Sequence, residues 1–342
     1  MNIAKPDVKN MYLCHKDINN YLKYLAKRYK KFVKLINIAK TFEGRYVKGI
    51  LIDHSIGNLG INRNMIFIEG GTHAREWITI SVALYCINQL TEKHFRHMDI
   101  LSKARFFIVP LVNPDGYEYS RTQNKRWRKN RSLNSKNKCI GTDCNRNYDF
   151  KWKFKEQADG VKCTFKGEFP FSEVETQGIK NMMETFSDQI LFFLSLHSYA
   201  QSIMYPWAYT KELPPQWPLL HEVAEAGFGA IKKSTGRIYK YGSISNVTKK
   251  IFSGTVVDYA FGVMKIPICL VMELPSSKYG FQPPNELIES IAIESWIGIR
   301  AMCMESLSSY NKILYIPQTL IPKFFEKENN DENNDIKLRS AV

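Results

Sequence analysis

The chain has 342 residues, of which 44% are hydrophobic and 13% aromatic, and its formal net charge is +15. This composition excludes a mostly disordered protein, and no apolar run approaches the roughly 20 residues of a membrane-spanning helix. The charge fits a surface for nucleic acid, an anionic membrane or an acidic substrate, or else a lysine-rich solvated surface. We favour the solvated surface because lysines are scattered from Lys5 to Lys337.

Apolar residues at helical spacing predict an amphipathic helix over residues 17–36. Later runs that are apolar on both faces predict central strands covered by helices. The predicted elements after the first helix are a strand 65–69, a helix 77–90, a strand 104–112 closed by a turn at 113–116, a helix ending near 186 behind a capping box of Ser172 and Glu175, strands 190–196 and 266–272, and a final helix 285–308.

Strands that alternate with helices predict an α/β fold, which we expect to be a single-domain mixed twisted sheet flanked by helices. We see no linker inside the central region, so we predict one catalytic domain over residues 10–322. It would follow a short N-terminal extension, 1–9, and precede a polar, low-complexity tail, 323–342, that we expect to be disordered.

Three strand ends carry residues suited to metal or acid–base chemistry. His73 and Glu76 follow the first of these strands, where ligands bind in open α/β sheets, although HxxE alone also fits a turn with a solvated histidine. His197 follows strand 190–196 and fits either a metal ligand or a hydrogen-bonded histidine. Glu273 ends strand 266–272 and fits either a general base or a salt bridge to an arginine. Two His and one Glu, with a fourth position open, are the pattern of catalytic zinc sites, for which carboxypeptidase A is a known example.

With these residues in place, the chain resembles the zinc metallocarboxypeptidases of the carboxypeptidase A/B family, peptidase family M14. The resemblance covers residues 10–308 and implies a metallocarboxypeptidase-like fold. It rests on the motifs THAREW (72–77), NPDGYEYSR (113–121), RWRKNRS (126–132), DCNRNYDF (143–150), FSEVET (171–176), LHSYAQ (196–201), YPWAYT (205–210) and MELPSSKYGF (272–281).

The resemblance implies one zinc ion with His73, Glu76 and His197 as ligands. It assigns Glu273 as the general base that activates the attacking water, and Arg128 as the residue that polarises the scissile carbonyl and stabilises its oxyanion.

Four further residues match substrate-binding positions of the family. Asn145 and Arg146 match the clamp on the substrate's terminal carboxylate, which restricts cleavage to chain ends. Arg75 and Tyr199 match residues of the outer subsites.

The loop over the site departs from the family pattern, and the specificity pocket distinguishes between the A and B types of the family. The family's mobile loop tyrosine is missing from residues 245–254, and Lys250 falls at its position, where an ammonium group could meet the same carboxylate. The specificity pocket carries Val257 where B-type enzymes have an acid, and Ala208, Ile244 and Val271 on its walls are also uncharged. We therefore predict an A-like preference for apolar or aromatic C-terminal residues.

The resemblance also implies a Cys139–Cys163 disulfide. Although we find no signal peptide in the chain, this bridge leads us to expect a secreted protein. We expect a monomer acting on peptide or protein C-termini, with no nucleic-acid or membrane partner, so that the basic cluster at 125–131 forms a rim. The alternatives are a catalytically weak homologue that binds peptide C-termini, which the missing tyrosine favours, and a basic nucleic-acid-binding protein, which only the charge favours.

Overall fold

The structure is a computed structural model that describes residues 6–54, 64–133, 140–153, 164–275 and 278–314. Its strands are β1 (Val33–Lys40), β2 (Tyr46–Ile52), β3 (Asn64–Glu69), β4 (Ala104–Val109), β5 (Ile190–Ser198), β6 (Ser202–Tyr205), β7 (Lys240–Ser243) and β8 (Ile268–Leu274). Its α-helices are α1 (His15–Arg28), α2 (Trp77–Thr91), α3 (Met98–Leu101), α4 (Pro114–Thr122), α5 (Val174–Thr185), α6 (Trp217–Thr235), α7 (Ile244–Thr248), α8 (Val256–Gly262) and α9 (Ile288–Leu314).

The described strands form one mixed sheet in the order β1-β2-β4-β3-β5-β8-β6-β7. The four central strands, β4, β3, β5 and β8, are mutually parallel, whereas β2 joins β4 and β6 joins β8 in antiparallel fashion. Every residue of β5 is buried, as a strand covered on both faces requires. Helices α2 and α6 pack against α9, and α8 packs on β5 and β8. The predicted mixed α/β sheet flanked by helices is confirmed.

The topology places a crevice at the carboxyl end of β3. The chain passes from β3 through α2 to β4 on one side of β3, and later enters β5 on its other side. Loops that leave neighbouring strands in opposite directions open a cleft at the strand ends, and ligands bind there in open α/β sheets. The parallel register sets Glu69 beside Ser195, and His197 beside Glu273, at this edge.

The first predicted helix was wrong in its second half. Helix α1 ends at Arg28, since Tyr29 has left helical geometry (φ −110°, ψ 34°), and residues 33–40 form strand β1. The apolar residues of VKLINIAK fit a helical spacing, but several are β-branched and the segment pairs with β2 along its length. Sheet pairing therefore decided the structure of this segment.

The predicted turn at 113–116 was also wrong, because these residues begin helix α4. Asn113 caps it by accepting the N–H of Gly116 at 2.9 Å, and Pro114 occupies the first turn, where its missing N–H costs nothing. The predicted capping box does not form: Ser172 Oγ donates to Glu173 Oε1 at 2.6 Å, although helix α5 itself is present.

Other boundaries differ by a few residues. Strand β4 ends at Val109, α9 continues to Leu314, and β5 and β8 extend far enough to include His197 and Glu273 within the strands. No described helix has the length and apolar character needed to cross a membrane. The predicted Cys139–Cys163 disulfide and the tail 323–342 lie outside the described residues.

Candidate active site

The centre of the crevice is a buried cluster of His73, Glu76 and His197. Their donor atoms all lie within 4.8 Å of one another. His73 Nδ1 lies 2.8 Å from Glu76 Oε1, His197 Nδ1 lies 3.1 Å from Glu76 Oε2, and the two Nδ1 atoms are 3.1 Å apart. Two imidazole nitrogens and a carboxylate this close together are a donor set that zinc prefers. The residues present therefore fit one zinc ion.

Local backbone geometry brings the cluster together. His73 lies in the loop after β3, Glu76 is the N-cap residue immediately before α2, and His197 lies in β5. Gly71 makes the loop possible: it has φ +68°, and a Cβ there would lie 2.9 Å from side-chain atoms of Ile80 and Leu111.

Asp143 supports the cluster from behind, and the sequence reasoning did not identify it. Its Oδ1 lies 3.2 Å from His73 Nε2, and its Oδ2 accepts from Arg128 Nε at 2.7 Å. Although burial opposes its charge, Arg128 and His73 hold the pKa of Asp143 well below its usual value. The same type of competition lowers the pKa of the buried Glu76, where the adjacent imidazoles of His73 and His197 outweigh burial.

Glu273 stands beside His197 on β8 and faces the cleft. Burial, reinforced by the negative charge of Glu76, raises the pKa of Glu273 to about 7, against the opposing effects of His197 and Arg128. A carboxylate with a pKa near neutrality can both take and return a proton at physiological pH.

Asn145 and Arg146 lie next to the cluster in a 3-10 turn, Cys144–Arg146, and both are buried. Asn145 Oδ1 accepts the N–H of Val256 at 2.9 Å. Arg146 Nη1 donates to the backbone oxygen of Asn145 at 2.8 Å, and its guanidinium carbon lies 4.6 Å from the ring centre of Phe252.

The structure brings all fourteen predicted zinc, catalytic and substrate-binding residues to a single cleft of about 400 Å³. These are His73, Arg75, Glu76, Arg128, Asn145, Arg146, His197, Tyr199, Ala208, Ile244, Lys250, Val257, Val271 and Glu273.

Among the further lining residues that the sequence reasoning missed, three are large and apolar. Met204 and Phe252 lie among the apolar residues of the pocket, and the Phe252 N–H donates to the Ala208 oxygen at 2.9 Å. Phe281 packs under the Arg75 guanidinium, whose central carbon lies 4.0 Å from the ring centre. Phe281 ends the motif MELPSSKYGF, so a signal for it was present; Met204 and Phe252 carry no comparable signal.

The buried carboxyl group of Asp258 fixes the backbone at Ala208, a residue of the pocket wall. Both oxygens of Asp258 accept the N–H of Ala208, at 2.9 and 3.1 Å, and one also accepts the N–H of Tyr209 at 3.1 Å. Burial raises the pKa of Asp258 to about 7 despite these bonds. The neighbouring Val257 turns an uncharged side chain into the cleft.

Similar proteins share both the sequence and the fold. The family described as zinc carboxypeptidase matches residues 18–298. The chain is 33% identical over 290 residues to carboxypeptidase B of Astacus astacus, covering 84% of this chain and 94% of that protein. It is 32% identical over 299 residues to carboxypeptidase A1 of Bos taurus, covering 86% and 70%. The crystal structure of carboxypeptidase A from Helicoverpa armigera matches with a TM-score of 0.82 at 26% identity, covering 88% of this chain and 75% of that one.

These relatives include both A-type and B-type enzymes, so they identify the family and leave the preferred C-terminal residue open. The family match extends over well more than half of the chain and includes His73, Glu76, His197 and Glu273. The buried histidine–glutamate cluster and the cleft at the strand ends agree with these matches. The chain therefore belongs to the M14 zinc carboxypeptidases of the carboxypeptidase A/B type, which are peptide exopeptidases.

Proposed function

We propose that this protein hydrolyses the C-terminal peptide bond of peptides and that it prefers apolar or aromatic C-terminal residues. The observation that carries the proposal is the meeting of His73, Glu76 and His197 with Glu273 and Arg146 in one cleft. A metal-type donor set, a base and a cation for a carboxylate are the three groups that such a reaction needs.

Zinc held by His73, Glu76 and His197 would supply Lewis-acid chemistry at the scissile carbonyl. Glu273 takes the proton of the attacking water and returns it to the leaving amine. The Arg128 guanidinium, fixed by Asp143, donates to the oxygen that gains negative charge. Arg146 and Asn145 hold the substrate's terminal carboxylate, which places the last peptide bond at the reacting groups.

The proposed specificity rests on the uncharged pocket. Val257, Ala208, Ile244 and Val271 line it together with Met204, and none offers a counter-charge to a lysine or arginine side chain. Ala208 and Phe252 occupy space inside the pocket, so the largest aromatic rings should fit less well than leucine or phenylalanine.

Lys250 is the proposed replacement for the missing loop tyrosine. It is exposed and lines the same cleft as Arg146, so its ammonium group can reach a bound carboxylate. We expect Lys250→Ala to raise KM for a peptide without a comparable loss of kcat. An unchanged KM would remove Lys250 from the substrate-binding residues.

The absence of a tyrosine from residues 245–254 favours one competing function, a catalytically weak homologue that binds peptide C-termini. Zinc-loaded protein that binds peptides and fails to cleave them would support it.

We further propose that the catalytic domain spans residues 10–322, and that the protein is secreted and acts as a monomer.

A direct test is to incubate the purified protein with peptides ending in Phe, Leu, Lys or Glu, with and without a zinc chelator, and to follow residue release by mass spectrometry. Chelator-sensitive loss of Phe and Leu supports the whole proposal. Loss of Lys would keep the enzyme and contradict the specificity. No loss from folded, zinc-loaded protein would contradict the activity.

A further inference from the structure

Behind the zinc cluster, two buried polar residues have no role in the reaction proposed above. Glu69 ends β3 and Ser195 lies on β5, and the parallel register sets them side by side. Both are fully buried and neither lines the cleft, so neither can touch a substrate. Burying a carboxyl group in such a position costs free energy unless its hydrogen bonds are made.

Glu69 and Ser195 form a chain of hydrogen bonds that ends on a zinc-ligand histidine. Ser195 Oγ lies 2.6 Å from Glu69 Oε1 and 3.0 Å from His197 Nε2. Thr72 Oγ1 donates to the other oxygen of Glu69 at 3.1 Å. The serine hydroxyl has one proton, and donating it to Glu69 across the shorter contact leaves Oγ free to accept a hydrogen bond from His197 when Nε2 carries a proton.

A competing neighbour would place the imidazole proton on the other nitrogen. Asn145 Nδ2 lies 3.2 Å from His197 Nε2, and the bond from Val256 N–H to Asn145 Oδ1 turns the amide N–H₂ towards the ring. A hydrogen bond from Asn145 requires Nε2 to be unprotonated, so the proton would sit on Nδ1. Nδ1 is the atom that faces Glu76 Oε2 at 3.1 Å and that a metal needs with its lone pair free.

The two histidines of the cluster are thus supported in parallel ways. His73 Nε2 meets the carboxylate of Asp143 directly at 3.2 Å, whereas His197 Nε2 meets Glu69 through the hydroxyl of Ser195. Outer partners of this kind set the tautomer and orientation of a ligating imidazole.

We propose that Glu69 and Ser195 are positioning residues that hold His197 in the tautomer with Nδ1 free, and that they thereby set the zinc affinity of the site. The inference rests on the proposed ligand set of His73, Glu76 and His197. It assigns Ser195 the direct contact with His197, and Glu69 an effect on His197 that acts through Ser195.

The test measures zinc dissociation constants by chelator competition for the full chain and for Ser195→Ala, Glu69→Gln and the double variant. Ser195→Ala should bind zinc 10- to 100-fold more weakly, the usual loss for an outer partner, and Glu69→Gln should lose less, because an amide oxygen still accepts from Ser195. Glu69→Gln should add little in the Ser195→Ala background. Ser306→Ala, which removes a buried hydroxyl that donates to the Met302 carbonyl within helix α9, is the matched control and should bind zinc normally.

A second readout separates tautomer control from general loosening. In zinc-free protein with ¹⁵N-labelled histidine, the His197 signals should show the proton on Nε2 in the wild type and a shift towards Nδ1 in Ser195→Ala. Unchanged zinc affinity or an unchanged tautomer in folded Ser195→Ala would overturn the inference. So would equal effects of Glu69→Gln with and without Ser195.

The experiment distinguishes failure of the zinc-ligand assignment from failure of the positioning role. A wild-type protein that binds no zinc would refute the ligand set itself, whereas a zinc-binding wild type with an equally tight Ser195→Ala would refute only the positioning role. If Ser195→Ala does not fold, Glu69→Gln decides, since wild-type affinity and an unchanged tautomer in that variant would overturn the inference.

Discussion

The guanidinium group of Arg146 lies over the ring of Phe252, with its central carbon 4.6 Å from the ring centre. The segment that carries Phe252 is fixed at several points: its N–H bonds to the Ala208 oxygen at 2.9 Å, and Tyr148 N–H bonds to the Gly254 oxygen at 3.1 Å. A Cβ at Gly254 would lie 2.3 Å from the Arg146 oxygen, so only glycine permits this approach. One aromatic ring therefore contacts the proposed carboxylate clamp and lines the same cleft as the proposed specificity pocket.

We expect Phe252→Ala to raise KM for every peptide by about 2- to 30-fold, since a cation–π contact contributes roughly 0.5–2 kcal/mol. The vacated space should also shift preference from leucine towards tryptophan at the C-terminus. Steady-state kinetics with peptides that differ only in the last residue measure both effects. Phe95→Ala, which removes a side chain that is 82% exposed and outside the cleft, should change neither.

We expect Val257→Asp to convert the preference to C-terminal lysine and arginine. The pocket residues Ala208, Ile244 and Val271 are uncharged, so the aspartate would supply the counter-charge that they lack. The ratio of kcat/KM for Lys-ending over Leu-ending peptides should rise by roughly 100-fold or more, because a leucine side chain would leave the buried aspartate unpaired. Val257→Asn, similar in shape but uncharged, should lower leucine release without creating lysine release. A Lys-to-Leu ratio that the aspartate does not change would show that Val257 lies away from the substrate side chain.

We expect Glu273→Gln to lower kcat by about 10²- to 10⁴-fold, the usual contribution of a general base, while zinc affinity stays within a few-fold of the wild type. In the wild type, kcat/KM should fall as pH drops through the pKa of Glu273, since the base must be ionised. Burial raises that pKa to about 7, and the charge of a bound zinc ion lowers it, so the fall should begin at or below neutrality. Full activity of Glu273→Gln would contradict the assignment.

Glu175 gives a prediction about stability. Burial raises its pKa from 4.5 to about 7, so the folded protein prefers the protonated acid. Its contribution to the unfolding free energy is complete below about pH 4.5 and is lost as pH rises to about 7. The slope is at most about 1.4 kcal/mol per pH unit for this one group.

Glu175→Gln should therefore flatten the fall of unfolding free energy with pH, as measured by urea unfolding across this window. Gln keeps an oxygen that can accept from Asn130, which now bonds Glu175 Oε2 at 3.2 Å. Glu184→Gln, an exposed change on the same helix, should keep the wild-type slope. Equal slopes in all three proteins would show that Glu175 is ionised in the fold.

Residues that lie in contiguous, strongly patterned segments could be predicted from the sequence. The buried strands β3, β5 and β8 and helix α2 follow from their apolar runs. The strand ends marked His73, Glu76, His197 and Glu273 as candidates, and the family resemblance assigned their roles. The incorrect helix prediction at β1 has a physical cause. The apolar residues of this segment fit both a helical and a strand period, and pairing with the separate strand β2 selects the strand.

The supporting residues could not be predicted because they depend on geometry between distant segments. Asp143 reaches His73 across 70 positions, and Ser195 meets Glu69 across 126. Nothing in the local pattern around Ser195 distinguishes it from any polar residue in a buried strand. Phe252 is similar, since its packing on Arg146 follows from the path of a loop that the sequence does not specify.

The placement of the zinc donors also has a consequence for how the molecule assembles. His73 and Glu76 lie three residues apart, whereas His197 is 121 positions beyond Glu76 and joins them only when β5 has aligned with β3. Before that alignment, the chain offers the metal two donors on one loop, and afterwards it offers three. With these three residues as its ligands, zinc would bind the finished sheet more tightly than any precursor, and its binding would stabilise the pairing of β3 with β5.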